Sequence, residues 1–239
     1  MAASGYEAMG PDIYGQSAGD ESGYSVSLSA DGLVLATGVQ NNNGNGHVRV
    51  EAWNGTHWRP RGGDLNDKDP GEQSNYSLAL SANGLVLAIG AHNNNGNSHV
   101  RVHEWNGTHW QPRGDDLYGE SAADLSGWSV AMSADGLVLA IGAPENDDNG
   151  VNSGHVRVHS WNGTHWRPRG NDIDGESAGN RCGHSVAMSA DGSVLAIGSP
   201  ESEGGNQQAP AGQVRVYAWN DTQYELRDSM SSLLGNYQG

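Results

Sequence analysis

Apolar residues occur along this chain in short runs that have no helical spacing. In residues 129–134, Val130 and Met132 alternate with small residues, and residues 137–142 form an unbroken apolar run. Alternation is typical of a half-buried strand, whereas a short unbroken run between turn residues favours a strand buried on both faces. The pattern therefore predicts two successive strands, which we call a and b, with strand b the more deeply buried.

Two further strands follow after a longer loop rich in Asn, Asp and Gly. In His155–Trp161, Val156 and Val158 alternate with polar residues, which predicts a third strand, c. Residues 165–169 predict a fourth strand, d. It is the most polar of the four and contains Pro168, which is confined to edge positions because proline donates no ladder hydrogen bond.

This block of four strands occurs four times. The expected core residues therefore lie at equivalent positions in each copy. The acidic or amide turn pair recurs at spacings of 52, 52 and 56 residues, as Asp31-Gly32, Asn83-Gly84, Asp135-Gly136 and Asp191-Gly192. The tryptophan turn recurs as Trp53-Asn54-Gly55, Trp105-Asn106-Gly107, Trp161-Asn162-Gly163 and Trp219-Asn220-Asp221. On strand b of the second and third copies, the expected core residues are Leu87, Ile89, Leu139 and Ile141.

The turn pairs define the fold class. Asp-Gly and Asn-Gly are favoured in two-residue type I′ hairpins, because both central residues there need a positive φ. No window shows an apolar period of 3.6 residues over a helical length. The prediction is an all-β fold, a β-propeller of four blades with four strands each and about 52–58 residues per blade.

The repeat also gives the domain boundaries. We expect one β-propeller domain over residues 1–227 and a C-terminal tail at 228–239 that fits no repeat. The four repeats cover about residues 15–62, 63–114, 115–170 and 171–227, and a stray copy of strand d lies at 6–9.

The stray strand bears on how the blades close. One hypothesis is that residues 6–9 hydrogen-bond to the last blade, beside residues 214–217, and lock a four-bladed ring. The alternative is that the four blades are a fragment of a larger propeller.

The third repeat carries a family resemblance. Its sequence SVAMSADG at residues 129–136, with Gly142-Ala143-Pro144 after strand b, resembles the FG-GAP-like repeat family, which is related to the propeller of integrin α chains. The similarity covers about residues 12–220 and implies an interaction or adhesion role at a cell surface. Integrin-type repeats hold calcium in a loop between strands a and b, but here that link is only Ser-Ala-Asp-Gly, so calcium is not implied at that loop. A kelch-type propeller is the nearest rival, and the absence of a repeated Gly-Gly before strand b disfavours it.

Composition and charge limit the classes of partner that this chain can bind. The formal net charge is −16, which disfavours a nucleic-acid backbone or an anionic membrane. The single cysteine excludes an internal disulfide framework, and no apolar run approaches the length of a membrane span. The resemblance implies an extracellular location, but no signal peptide or anchor is recognisable, so location and oligomeric state stay open.

Oxygen-rich loops are candidate calcium ligands, since Ca²⁺ takes six to eight hard oxygen ligands. The loops between repeats and between strands b and c are rich in carboxylates, but their spacing does not recur. Solvated turn-forming loops are therefore the favoured interpretation. No other cofactor is expected, and the candidate metal ligands are Asp172, Asp174, Glu176, Asp147 and Asp148.

Asparagine motifs are candidate glycosylation sites. An Asn-Gly pair followed by Thr also suits a hairpin turn, and turn chemistry is the favoured explanation of these motifs. The candidates are Asn54, Asn106, Asn162, Asn220 and Asn75.

Histidine and tryptophan positions also repeat. Alternation puts His155 and His159 on one face of strand c, where such a pair could bind Zn²⁺ or Cu²⁺, but no Cys or carboxylate completes a repeated set. The tryptophans around each turn, such as Trp161 and Trp166, are expected to pair across the hairpin. They could instead stack on a sugar.

These observations favour a non-enzymatic interaction or adhesion module that binds a protein or glycan partner through loops on its rims. Two alternatives are a lectin with one aromatic and Asn/Asp site per blade, and an enzyme on a propeller scaffold. No nucleophile elbow or phosphate-binding loop is present, so we do not expect an enzyme.

Overall fold

The computed structural model describes residues 5, 7–40, 46–66, 73–92, 98–202 and 211–227. The described residues form four antiparallel sheets, one per repeat. The first sheet contains β1 (Ser22–Leu28), β2 (Val34–Val39), β3 (His47–Trp53), β4 (Trp58–Pro60) and β5 (Leu65–Asn66). The second contains β6 (Gln73–Leu80), β7 (Val86–His92), β8 (His99–Trp105), β9 (Trp110–Pro112) and β10 (Leu117–Tyr118). The third contains β11 (Ser129–Met132), β12 (Val138–Ala143), β13 (His155–Trp161), β14 (Trp166–Pro168) and β15 (Ile173–Asp174). The fourth contains β16 (Ser185–Met188), β17 (Val194–Ser199), β18 (Gln213–Trp219) and β19 (Tyr224–Leu226).

Each sheet is a four-stranded blade, which confirms the predicted all-β propeller architecture. In the first three blades the outermost strand is interrupted, so that β4 and β5, for example, both pair with β3 at different places. The sequence interpretation left the second half of this strand in a loop. The structure instead pairs Ile173 with Val156 and Asp174 with His155, and this register brings a carboxylate beside a histidine.

The core lies between successive blades. Leu87, Ile89, Leu139 and Ile141 on the b strands are fully buried, which confirms the sequence prediction. Three clusters repeat the same arrangement: strands b and c of one blade pack their small and branched residues against Leu and Ile of the next blade. Blades that pack face to face in this way are arranged radially, as expected for a propeller.

Tryptophan pairs fasten each blade to the one before it. The Trp161 and Trp166 rings lie 5.4 Å apart across the hairpin, as predicted. The Nε1 of Trp166 donates to the Arg113 carbonyl oxygen at 2.9 Å, and the Arg113 guanidinium lies 5.0 Å from the Trp161 ring centroid. The equivalent contacts recur one junction earlier, where Trp110 donates to the Arg61 carbonyl oxygen.

The turns between strands are longer than the two-residue hairpins predicted from sequence. Between strands a and b the main chain turns over the four residues 134–137, closed by the Ser133 N–H donating to the Val138 carbonyl oxygen at 2.9 Å. The Asp135 carboxylate accepts from the Ser133 hydroxyl and from the Leu137 N–H, and Gly136 takes a left-handed φ of 71°. Side-chain capping by Ser and Asp therefore stabilises a wider turn than the Asp-Gly pair alone would specify.

The N-terminal segment does not complete the last blade. Tyr6 lies outside the described residues, and residues 7–9 form no strand. The Met9 carbonyl oxygen accepts from Trp58 Nε1 at 3.0 Å, as the Arg61 carbonyl oxygen accepts from Trp110. Residues 7–9 pack on the first blade in the way each blade packs on the next, so the predicted pairing of these residues with residues 214–217 is wrong.

The two end faces of the array expose residues that are buried at the internal junctions. Val214 on β18 is 72% exposed, whereas its counterparts Val48, Val100 and Val156 are fully buried. On the first blade, Val26 is 63% exposed, whereas its counterparts Leu78, Val130 and Val186 are half-buried. Among the described residues, no helix is long and apolar enough to cross a membrane.

Candidate metal centre

The antiparallel strand order gives the array two different rims. The a–b and c–d turns lie at one end of every blade, which we call the turn rim. The b–c loops and the connections between blades lie at the other end, which we call the loop rim. Polar side chains that already stabilise turns are less free to bind a ligand, so the two rims differ in their capacity for binding.

On the turn rim the polar side chains hold the turns together. The Asn162 Oδ1 accepts hydrogen bonds from the N–H and hydroxyl of Thr164 and from the N–H of His165, at 2.9–3.0 Å. Asn54, Asn106 and Asn220 make the same set of bonds in their own turns. These four glycosylation candidates are exposed and serve turn formation, as the sequence analysis favoured, whereas Asn75 lies on β6 and its side chain is outside the described part. Glycosylation itself stays a prediction.

The predicted metal ligands lie on the loop rim but do not converge on one point. The Asp147 carboxylate accepts from the Asn152 N–H at 2.7 Å and so caps its own loop. Glu176 forms an ion pair with Arg215 in the fourth blade. Asp172 and Asp174 are exposed, with Asp174 directly opposite His155 in the β13–β15 ladder.

The fifth predicted ligand, Asp148, belongs to a tight three-residue group. Its Oδ2 lies 3.8 Å from His155 Nδ1, and Glu120 Oε2 lies 3.9 Å from the same nitrogen. One ligand atom from each of Glu120, Asp148 and His155 lies within 4.8 Å of the other two. We call these three residues the rim cluster.

Each member of the rim cluster comes from a different segment of the third repeat. Glu120 lies in the connection that leads into the third blade, Asp148 lies in the b–c loop, and His155 is the first residue of β13. Their approach depends on how the two loops are joined, because 28 residues of chain separate the two carboxylates.

A buried hydrogen bond joins the two loops. The Asn146 Nδ2 donates to the Asp124 Oδ2 at 3.1 Å, and both side chains are almost completely buried. Asp124 also accepts from the Ser121 N–H, next to Glu120, and the Asn146 Oδ1 accepts from the Asp148 N–H. The residues that flank the rim cluster are thus fixed relative to one another before any ligand binds.

The imidazole of His155 is the unusual member. It is 1% exposed, and neither of its ring nitrogens has a hydrogen-bond partner among the described residues. A buried polar group without a partner is costly, so each such group in a folded protein calls for an explanation.

The charges at the loop rim favour a neutral imidazole next to carboxylates that repel one another. Burial lowers the pKa of His155, and the nearby Arg157 lowers it further. Partial burial raises the pKa of Glu120 despite the opposing effect of Arg157, and Asp172 and Asp148 raise it further. The pKa of Asp174 is raised by burial and by Asp172 and Asp148, against the opposing effect of His155. Bringing a cation to this place would relieve the repulsion.

Chemically, the rim cluster offers one imidazole nitrogen and two carboxylate oxygens. Neutral imidazole and carboxylate together form ligand sets for first-row transition metals. Sequence reasoning did not choose Glu120 as a candidate ligand, and it paired His155 with His159. Four residues along a strand, however, place His159 about 13 Å from His155. The signal in the sequence was that unit three alone combines a Glu, an acidic b–c loop and a His at these repeat positions.

The residues that break the repeat elsewhere do not form a second group of this kind in the described part of the chain. Cys182 is buried, and burial raises the pKa of its thiol. His184 packs against Trp128 with ring centroids 5.5 Å apart. Lys68 lies outside the described residues.

Solved propeller structures resemble the fold. The propeller domain of the Trilobed protease from Pyrococcus furiosus has a TM-score of 0.55 at 12% identity, covering 87% of this chain and 57% of that chain. The periplasmic gluconolactonase PpgL from Pseudomonas aeruginosa has a TM-score of 0.55 at 18% identity, covering 85% of this chain and 55% of that one. A hypothetical selenium-binding protein from Sulfolobus tokodaii has a TM-score of 0.59 at 11% identity, covering 87% and 54%. The chain spans a little over half the length of these structures, and at such identities the similarity concerns the fold alone.

No curated protein sequence matches the chain. A family model does match the third repeat, over residues 119–158, and its description is the FG-GAP repeat. The matched segment contains all three residues of the rim cluster. The protein is therefore a β-propeller, and its residues 119–158 match the FG-GAP repeat model, as the resemblance in its sequence indicated.

Proposed function

We propose that this protein is a non-enzymatic interaction module that binds a protein partner through its loop rim. The observation that supports this is the difference between the two rims. On the turn rim, Asn and Asp side chains are used to cap turns. On the loop rim of the third blade, Glu120 and Asp148 point at one another and at a buried histidine, and Asp172 and Asp174 add further exposed charge.

The charge of the loop rim indicates the chemistry of the partner. Nearby arginines are engaged within the fold: Arg157 donates to the Tyr118 carbonyl oxygen at 2.7 Å, and Arg181 pairs with Glu145 and Glu201. The exposed carboxylates around the third blade therefore form a negatively charged surface. Complementary charge favours a partner segment rich in Lys or Arg, with association that weakens as salt is added.

The lectin alternative has less support. It relies on exposed aromatic pairs, but Trp110 and Trp166 are buried at blade junctions, and arginine guanidinium groups lie over the rings of Trp105 and Trp161. The enzyme alternative expects perturbed carboxylates from different blades to meet in a cleft. Here Glu120, Asp148, Asp172 and Asp174 lie around a single blade and are exposed.

Selection from a random peptide display library against the immobilised chain tests the proposal. We expect enriched peptides to be basic and to lose at least tenfold in affinity against an Asp172→Asn/Asp174→Asn variant. The matched control is Asp31→Asn/Asp191→Asn on the turn rim, which removes the same charge and should bind like the unaltered chain. Peptides that bind both variants equally, or no enrichment at all, would contradict the proposal, and specific hits on a glycan array would favour the lectin.

A further inference from the structure

We propose that Glu120, Asp148 and His155 bind one divalent transition-metal ion of the Zn²⁺ class. This inference goes beyond the interaction function and does not depend on it, because ion binding can be measured without any partner. Neither the FG-GAP match nor the solved structures assign such a site.

The distances leave room for an ion between the three side chains. Two ligand atoms at about 2.1 Å from one zinc ion are about 3.4 Å apart at the tetrahedral angle. In the structure the His155 Nδ1 lies 3.8 Å from Asp148 Oδ2 and 3.9 Å from Glu120 Oε2. Each exposed carboxylate would have to approach the buried imidazole by about 0.5 Å to reach this separation.

The buried imidazole is the observation that distinguishes this group from an ordinary acidic surface. His155 is 1% exposed and its Nδ1 points at two carboxylates, and within the described part of the chain neither ring nitrogen has a hydrogen-bond partner. A buried imidazole held neutral can form no strong ion pair with those carboxylates. A bound cation satisfies the nitrogen and both acids at once.

The ligand types select the ion. Calcium binds six to eight oxygen atoms, whereas zinc accepts imidazole nitrogen together with carboxylate oxygen. Three protein ligands leave the fourth position of a tetrahedral zinc ion open for water, whereas structural zinc sites have four protein ligands. Asp174, directly opposite His155 in the ladder, adds negative charge near the imidazole.

The other repeats lack this set of ligands, so one ion is expected per chain. In the fourth repeat Gln213 stands at the position of His155, and Glu176, the counterpart of Glu120, is paired with Arg215. In the sequence of the second repeat the counterpart of Glu120 is Lys68, and the b–c loops of the first two repeats contain no Asp or Glu.

Isothermal titration of the chelator-treated chain with ZnCl₂ tests the proposal. We expect one equivalent to bind, with binding abolished in His155→Gln and weakened at least tenfold in Glu120→Gln and in Asp148→Asn. Glutamine is already the native residue at this position of the fourth repeat, so His155→Gln introduces a side chain that the blade accommodates. Co²⁺ titration should give visible absorption bands of a low-coordinate site in the unaltered chain and none in His155→Gln.

Two control variants carry the same substitutions at positions without the cluster. His99→Gln changes the equivalent histidine of the second blade, which stacks on Tyr118, and Glu176→Gln changes the equivalent glutamate of the fourth. Both should bind one equivalent of zinc with unchanged affinity, and circular dichroism without metal should show all variants folded. The proposal is overturned if zinc does not bind, if His155→Gln binds as tightly as the unaltered chain, if a control loses binding, or if only Ca²⁺ binds. Several equivalents that persist in His155→Gln would assign binding to exposed histidines and would overturn it as well.

Discussion

Val156 and Val214 occupy the same position in successive blades, and we predict that truncating them has very different consequences. Val156 is fully buried at the junction with the fourth blade, whereas Val214 is 72% exposed on the end face. Both face a glycine across the ladder, Gly142 and Gly198 respectively. The two Val→Ala changes therefore share the same loss of β propensity, and only packing differs.

The expected magnitudes follow from burial. Removing two buried methyl groups costs about 1.6 kcal/mol in transfer free energy, and an unfilled cavity adds to it, so Val156→Ala should lose about 2–3 kcal/mol. Val214→Ala removes groups that are already largely in water and should lose less than about 0.5 kcal/mol. For a chain of this size the first loss corresponds to about 4–12 °C in melting temperature.

Urea titration with linear extrapolation, followed by circular dichroism, measures both free energies of unfolding. Equal m-values in the two variants would indicate that neither substitution changes the surface exposed on unfolding, so that the difference in free energy reports packing in the folded state. Equal losses in stability would refute the reasoning, since the end face would then be covered in solution or the blade packing would be wrong.

Two further predictions follow from the core and from a buried histidine. Leu139→Ala should cost about 2–5 kcal/mol in the same titration, whereas Leu137→Ala, at a residue 39% exposed, should cost less than about 1 kcal/mol, and similar losses would refute the assignment of strand b to the core. Burial lowers the pKa of His159 from its ordinary value of 6.5 to about 4, and the positive charge of Arg157 adds to this effect. Between pH 6.5 and pH 4, His159 is therefore protonated in the unfolded chain but not in the folded one. Its contribution to stability is therefore fully present above pH 6.5 and is lost as the pH falls towards 4, by up to about 3 kcal/mol. His159→Gln should flatten this part of the stability profile relative to the exposed-site control His109→Gln, and an unchanged profile would contradict the assignment.

Strand positions and the core could be predicted because they depend on local pattern. The apolar run that contains Leu139 and Ile141 can be buried only between two layers, and its recurrence fixed the blade as the repeating unit. The turn lengths were predicted less well, because Ser133 and Asp135 cap a wider turn with their side chains. The pairing of the N-terminal segment was also mispredicted, since matching a repeat position does not tell which neighbouring blade the segment packs on.

The candidate site could be predicted only in part, because it depends on contacts between distant segments. Asp148 was identified from its acidic loop, but its proximity to Glu120 depends on the buried hydrogen bond between Asp124 and Asn146. The environment of His155 depends on the continuation of the outer strand into Ile173–Asp174, which the polar sequence did not indicate. Neither contact leaves a periodic pattern in the sequence.

Diffraction from zinc-soaked crystals, recorded on either side of the zinc absorption edge, tests the loop-rim site most directly. The account predicts one strong anomalous peak per chain, about 2.0–2.2 Å from His155 Nδ1 and from one oxygen each of Glu120 and Asp148. It is contradicted if that position shows no peak while peaks appear only at the exposed histidines of the turn rim.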